Sequence, residues 1–186
     1  MIIPVFRVYT TQYPIAATTD IEPGQVVALA TTGYAILCDG DAADTTAVPV
    51  GLAADRNRAS EANEWVNRVS DSGNDTAASG MLSVYSYGEF YIDMDDSAIT
   101  TPAGTSISGV VTSTATTTPG TIARVDDTAA TSGMIDSAGS GTAIGKFIMT
   151  AASLDSGIPG EYEPGASVAY VDDATPRTWT KIKLEI

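Results

Sequence analysis

Apolar and polar residues alternate along several short segments of the chain, with the period of two that is typical of β-strands. The clearest such segment is 81–93. Its two faces consist of Leu82, Val84, Ser86, Gly88, Phe90 and Ile92 on one side, and Ser83, Tyr85, Tyr87, Glu89 and Tyr91 on the other. In residues 179–186, Ile182, Leu184 and Ile186 alternate with two lysines and a glutamate. We expect a half-buried strand in each segment.

Turn residues delimit the other predicted strands. Pro23 and Gly24 precede an apolar run at 25–29, and Gly33 leads into a second run at 34–38, so these two runs predict a hairpin. The remaining apolar runs of strand length are 48–53, 107–111, 121–125 and 143–149.

Only residues 59–69 have the apolar spacing of a helix. The predicted fold is therefore all-β: a small β-barrel or β-sandwich with long loops, one short helix and an extended N-terminal arm. The arm is expected to span 1–19 and the β-rich domain 20–186. That domain could also consist of two subdomains, 20–95 and 96–186.

The predicted arm contains Pro4 and Pro14, which exclude a long helix. Its apolar contact residues are Val5, Phe6, Val8 and Tyr9. No nearby segment has the pattern of a partner strand for it. We therefore expect the arm to reach a neighbouring molecule instead of packing only on its own domain.

Charge narrows the range of partners. The 186 residues include 9 Lys and Arg against 23 Asp and Glu, for a net charge of -14. Such a surface repels a polyanion, so we expect no nucleic-acid partner. No apolar run approaches the length of about 18 residues that a membrane-spanning helix needs, so we expect no membrane partner. Cys38 is the single cysteine, which excludes an internal disulfide and favours a buried apolar role.

The motifs of common catalytic sites are missing from the sequence. It contains no His, which removes the usual general base and the commonest metal ligand, and it contains no phosphate-binding glycine loop. Two acidic clusters could bind a cation or act as paired carboxylates, although solvated turns explain them more simply. They consist of Asp39, Asp41 and Asp44, and of Asp93, Asp95 and Asp96. We expect no enzyme activity, no cofactor and no metal site.

Three segments carry a resemblance to a known family: 22–29 (EPGQVVAL), 48–55 (VPVGLAAD) and 84–90 (VYSYGEF). In this order they resemble the head decoration (cement) proteins of tailed bacteriophages. The resemblance implies a virion protein on the capsid exterior that binds the major capsid protein and stabilises the head. It also implies self-association, as a homotrimer or alternatively a dimer. The segment 55–80 departs from the simple pattern of that family.

The tyrosines of 81–93 could form either a second packed layer or a protein interface, because each ring combines an apolar body with a polar tip. The candidate interface residues are Val5, Phe6, Val8, Tyr9, Tyr85, Tyr87 and Tyr91. Two other functions stay open. One is a different phage structural component, such as a tail-tube, head-completion or fibre-base protein. The other is a carbohydrate-binding β module, in which Tyr85, Tyr87, Tyr91 or Trp179 would stack on sugars.

Overall fold

The computed structural model describes a set of separate segments of the chain. They are residues 2–16, 21–39, 48–54, 78–94, 99–100, 106–107, 110–112, 115–127, 132–154 and 177–186. The helix predicted at 59–69 lies outside these residues.

The described residues form strands and the turns between them, which confirms the all-β prediction. The strands are β1 (Ile2–Ala16), β2 (Val26–Leu29), β3 (Ala35–Leu37), β4 (Pro49–Ala53), β5 (Ala78–Asp93), β6 (Ile99–Thr100), β7 (Ser106–Ile107), β8 (Ile122–Val125), β9 (Ile135–Asp136), β10 (Ala143–Leu154) and β11 (Arg177–Glu185). Strands β6 and β7 pair only with each other, and the other nine form one sheet.

Five strands of this sheet close into a ring. Strands β2 and β3 form the predicted hairpin, with Val27 opposite Leu37. Strand β2 also pairs with β4, and β4 pairs with the first half of β5. Strand β1 then closes the ring, because it pairs antiparallel with β5 and meets β3 at Ile15 and Ala35.

The second half of the sheet continues from the other end of β5. Strand β11 pairs with residues 87–93 of β5, and β10, β8 and β9 follow in that order. Strands β1 and β5 are long enough to belong to both the ring and this second region. The prediction for the last strand is right for Ile182 and Leu184, which are fully buried, and wrong for Ile186. Pairing ends at Glu185, so Ile186 is 46% exposed.

Two apolar clusters hold these parts together. The cluster inside the ring consists of Ile15, Ile21, Val27, Ala35, Ala53, Leu82 and Val84. The larger cluster lies between the outside of the ring and the second region of the sheet. It includes Val26 and Leu52 from the ring, and Phe90, Phe147 and Ile182 from the second region. The predicted burial of Cys38 is confirmed, since its side chain belongs to this larger cluster.

A change of register in β5 marks the boundary between the two regions. Tyr85 lies opposite Thr10 and Tyr87 lies opposite Tyr9, so β5 has one extra residue at this point. Val84 packs inside the ring, whereas Tyr85 packs on the larger cluster. Beyond the extra residue, the even-numbered side chains face the larger cluster.

Residues 2–16 are extended, but they have a partner strand in the same chain. Register partners run from Ile2 opposite Ile92 to Ala16 opposite Ala78. The arm therefore packs along a strand of its own domain, although no segment near it in the sequence has the pattern of a partner strand. The partner strand, β5, is distant in the sequence. The turn residues near the arm do not indicate that the two strands pair. Whether the arm also contacts a neighbouring molecule stays a prediction.

Candidate functional site

Three aromatic side chains lie together on the outer surface of the sheet, where β1 runs beside β5. Phe6 is 52% exposed and Tyr9 is 65% exposed, although both belong to a paired strand. The ring of Tyr9 lies 5.8 Å from the ring of Tyr87, at an interplanar angle of 54°. We call Phe6, Tyr9 and Tyr87 the aromatic face. Apolar side chains that form a contiguous exposed patch are typical of contact sites.

An irregular stretch of β1 creates this exposure. Arg7 has a φ of 48°, the left-handed value that non-glycine residues adopt rarely, and the register shifts on both sides of it. The shift lets Val8 pack on the larger core cluster while Phe6 and Tyr9 stay outside. Opposite the bulge lies Gly88, where an added Cβ would come within 3.1 Å of the Val8 backbone. Backbone packing therefore fixes the position of the aromatic face.

A cation accompanies one of these rings. The Arg7 guanidinium carbon lies 5.0 Å from the centre of the Phe6 ring, within the range of a cation–π contact. Such a contact lowers the side-chain freedom of both residues, so part of the entropy cost of ordering them is met before a partner binds.

The predicted interface residues separate into two groups. Tyr9 and Tyr87 contact each other on the aromatic face, Phe6 is exposed on the same strand as Tyr9, and Val5 is half-buried in this stretch of β1. By contrast, the remaining three, Val8, Tyr85 and Tyr91, contribute to packing. The Tyr85 ring lies 4.9 Å from that of Phe90, and Tyr91 is 4% exposed. The tyrosines of β5 therefore divide between a packed layer and an exposed surface.

Sequence reasoning missed the charged side chains that lie next to the aromatic face. All three lysines of the chain are Lys146, Lys181 and Lys183, and they occupy the neighbouring strands β10 and β11. Lys146 lies directly opposite Lys183, and Lys183 lies opposite Glu89. The alternation of 179–186 predicts that Lys181 and Lys183 lie on one face. The register between β10 and β11 is needed to show that Lys146 lies on the same face.

Carboxylates partly neutralise the lysines. Lys181 forms an ion pair with Glu89 at 3.1 Å. Lys183 pairs with Glu185, and the hydrogen bond from Lys183 lowers the pKa of Glu185 while it raises the pKa of the lysine itself. Both groups are exposed, so the pair contributes little to folding stability. Positively and negatively charged side chains therefore both lie beside the aromatic face.

Three of the four aromatic side chains considered for sugar stacking take part in packing. Trp179 is 1% exposed, Tyr91 is buried, and Tyr85 leans on Phe90. The fourth, Tyr87, is half-buried and lies beside the exposed ring of Tyr9, and the planes of the two rings are tilted by 54°.

Four members of the two acidic clusters, Asp41, Asp44, Asp95 and Asp96, lie outside the described residues. Within the described segments, no group of three or more His, Cys, Asp or Glu side chains could hold a metal ion. Those segments also contain no helix that is long and apolar enough to span a membrane. No protein-family model, curated protein or solved structure matches the chain.

Proposed function

We propose that this chain is a capsid decoration protein, which binds the outer surface of a major capsid lattice and stabilises the virion head. The observation that carries the proposal is the aromatic face. Strand β1 is paired with β5, yet it presents Phe6 and Tyr9 to solvent, with Tyr9 beside Tyr87. The sequence resemblance to phage head decoration proteins supports the same function. Enzyme activity has no part in it.

The physics of the surface favours attachment through these rings. A net charge of -14 makes close approach of many copies repulsive, so broad charge attraction is a poor source of affinity. Buried aromatic side chains, in contrast, dominate the energy of protein interfaces. Exposed ion pairs such as that of Lys183 and Glu185 contribute only about 0–1 kcal/mol each. Attachment should therefore persist at high salt, because screening weakens the repulsion between copies and leaves the aromatic contacts intact.

A binding measurement on particles tests the proposal. Purified protein is added to heads that lack it, and the bound fraction is measured after sedimentation over a range of protein concentrations. Replacing Phe6 or Tyr9 by Ala should weaken binding by about 2 kcal/mol, or about thirtyfold, if each is an interface anchor. Because both side chains are exposed, the variants should melt at nearly the same temperature as the original protein.

The matched control replaces Lys146 and Lys183 by Ala. Both side chains are exposed and lie on the same sheet, whereas Lys181 is a poorer control because its side chain is largely buried between Glu89 and the Tyr91 ring. The control variant should bind nearly as well as the original protein, in low and in high salt. If it detaches in moderate salt while the Phe6 and Tyr9 variants bind normally, charge holds the protein in place and the proposed surface is wrong.

A further inference from the structure

Among the described residues, strand β1 is paired along one edge and open along most of the other. Its paired edge contacts β5 along the whole strand, whereas its other edge meets a described strand only at Ile15, opposite Ala35 of β3. Residues 9–12 are exposed on both faces of the strand. An open edge of this kind presents backbone N–H and C=O groups to any strand that approaches.

The hydrogen bonds of β5 show which residues present these groups. Ala54 donates its N–H to the Ser83 carbonyl at 2.8 Å, so the backbone polar groups of Ser83 point to β4. Gln12 lies opposite Ser83, and residues opposite each other in an antiparallel pair point their backbone groups either towards each other or both away. Those of Gln12 therefore point away from β5, and so do those of Thr10, two residues earlier. We call the backbone groups of Thr10 and Gln12 the open edge.

The chemistry of the open edge limits what can pair with it. Residues 8–19 contain no charged side chain, although the chain as a whole carries -14. Natural edge strands commonly use charged residues to prevent pairing with other chains, and this segment has none. Two copies of the protein repel each other least where both are neutral, and this strand meets that condition on both sides of the contact.

We infer that the open edge pairs antiparallel with the same edge of a second copy, so that two sheets join into one across a twofold axis. The inference does not depend on the proposed capsid function. A twofold contact uses the same patch on both molecules, which suits a strand that is neutral and exposed on both faces. Strand addition of this kind draws its affinity from main-chain hydrogen bonds.

The register of the pairing follows from the residues that can donate. With the axis at Thr11, Thr10 of each copy lies opposite Gln12 of the other, and each of these pairs exchanges both N–H···O bonds. An axis at Gln12 would instead place Thr10 opposite Pro14, which has no N–H. An axis at Thr10 would place Gln12 opposite Val8, in the irregular stretch of β1. The axis therefore lies at Thr11.

Sedimentation equilibrium of the full chain, without particles, tests for the dimer. The fraction of the original protein in the dimer should rise with protein concentration, as mass action requires. Gln12→Pro removes an N–H of the open edge and should abolish the dimer without changing the melting temperature, because edge strands tolerate proline where the N–H faces solvent. The matched variant Thr11→Pro removes an N–H that faces β5 and should lower the melting temperature. A protein that stays monomeric throughout would overturn the inference.

Cysteine cross-linking tests the register. Thr11 would lie opposite its own copy in a pair without hydrogen bonds, with a Cα separation of about 4.5 Å, which a disulfide can span. Thr11→Cys should form a disulfide dimer on oxidation, whereas Thr118→Cys, at an exposed position elsewhere, should not. Cys38 is buried and does not compete. A dimer that forms without the Thr11→Cys cross-link would use a different surface and refute the pairing.

A charge variant covers the case in which Gln12→Pro fails to fold. Thr11→Lys places two like charges opposite each other at the axis, where they destabilise cross-strand pairing. It should abolish the dimer at low salt, while Thr118→Lys should leave the dimer unchanged. A Thr11→Lys protein that still forms the dimer as readily as Thr118→Lys does would show that the axis lies elsewhere.

Discussion

Strands β4 and β5 pair along one side of the ring, and we call this pairing the seam. Gly51 allows the seam to form. Gly51 has a φ of +154°, and a Cβ at this position would collide with the backbone carbonyl oxygen of Tyr85 and would lie 2.5 Å from Cγ1 of Val84. The neighbouring residue, Leu52, is the register partner of Tyr85, so the carbonyl cannot move without opening the seam. Gly51→Ala is therefore expected to be strongly destabilising.

The size of the effect comes from two sources. Forcing an extra carbon into a packed region costs about 1–3 kcal/mol, and more when the neighbour is backbone. A side chain held at an unfavourable φ costs a further 1 kcal/mol or so, which gives about 3–4 kcal/mol for Gly51→Ala. For a domain of this length, that loss lowers the melting temperature by about 10 °C.

Gly33→Ala provides the control. Gly33 also has a positive φ, +83°, but nothing lies within 4 Å of an added Cβ in its exposed turn. This variant should therefore lose only the conformational part, about 1 kcal/mol. Urea unfolding of both variants measures the two costs. If Gly51→Ala costs no more than Gly33→Ala, the close approach of β4 to β5 is incorrect, and with it the closed ring.

Three further outcomes follow from the packing and hydrogen bonds. Deleting residues 2–14 should lower the melting temperature by at least about 10 °C, since β5 loses its pairing with β1. An unchanged melting curve would show that this pairing is dispensable. Phe147→Ala should cost about 4 kcal/mol in urea unfolding because the side chain is fully buried, whereas Phe6→Ala should change stability by less than about 0.5 kcal/mol. The backbone N–H and the hydroxyl of Ser140 both donate to Asp127 and lower its pKa. Ser140→Ala removes the hydroxyl bond and keeps the backbone bonds, so an NMR titration should show the pKa of Asp127 rising part of the way to its ordinary value. The stability that this lowered pKa provides is present above the unfolded pKa and is lost as the pH falls, so the variant should lose less stability on acidification.

Local pattern predicted the elements that depend on local chemistry. The hairpin of β2 and β3 follows from Gly33 and the apolar runs around it, and the last strand follows from the alternation that buries Ile182 and Leu184. Each of these features is encoded within about ten residues. The pairing of β1 with β5 is different, because the two strands are distant in sequence and neither one contains a signal that specifies the other. The extended conformation of the arm could therefore be predicted from the sequence, but its partner strand could not.

Strand β5 shows how a correct pattern can conceal two structural changes. Leu82, Val84, Phe90 and Ile92 are all buried, as strict alternation predicts. Yet the first two pack inside the ring and the last two pack on the larger cluster, on the opposite side of the sheet. The extra residue beside Tyr87 reverses which side the even-numbered residues face, and the core changes sides at the same point. Because the two changes cancel, the apolar pattern runs through without interruption. The division of the tyrosines between surface and core could not be read from it.

The two surfaces proposed for β1 are compatible because they use different directions of the strand. The aromatic face consists of side chains that stand perpendicular to the sheet, whereas the open edge consists of backbone groups in its plane. Opposite residues of an antiparallel pair point to the same side of the sheet, so a twofold axis at Thr11 would place Phe6 and Tyr9 of both copies on one side. A dimer joined in this way would present two aromatic faces to the same lattice. Engagement of the first face would raise the effective concentration of the second, and the pair would bind more tightly than either copy alone. Pairing at the open edge would thereby strengthen attachment without adding any contact to the capsid.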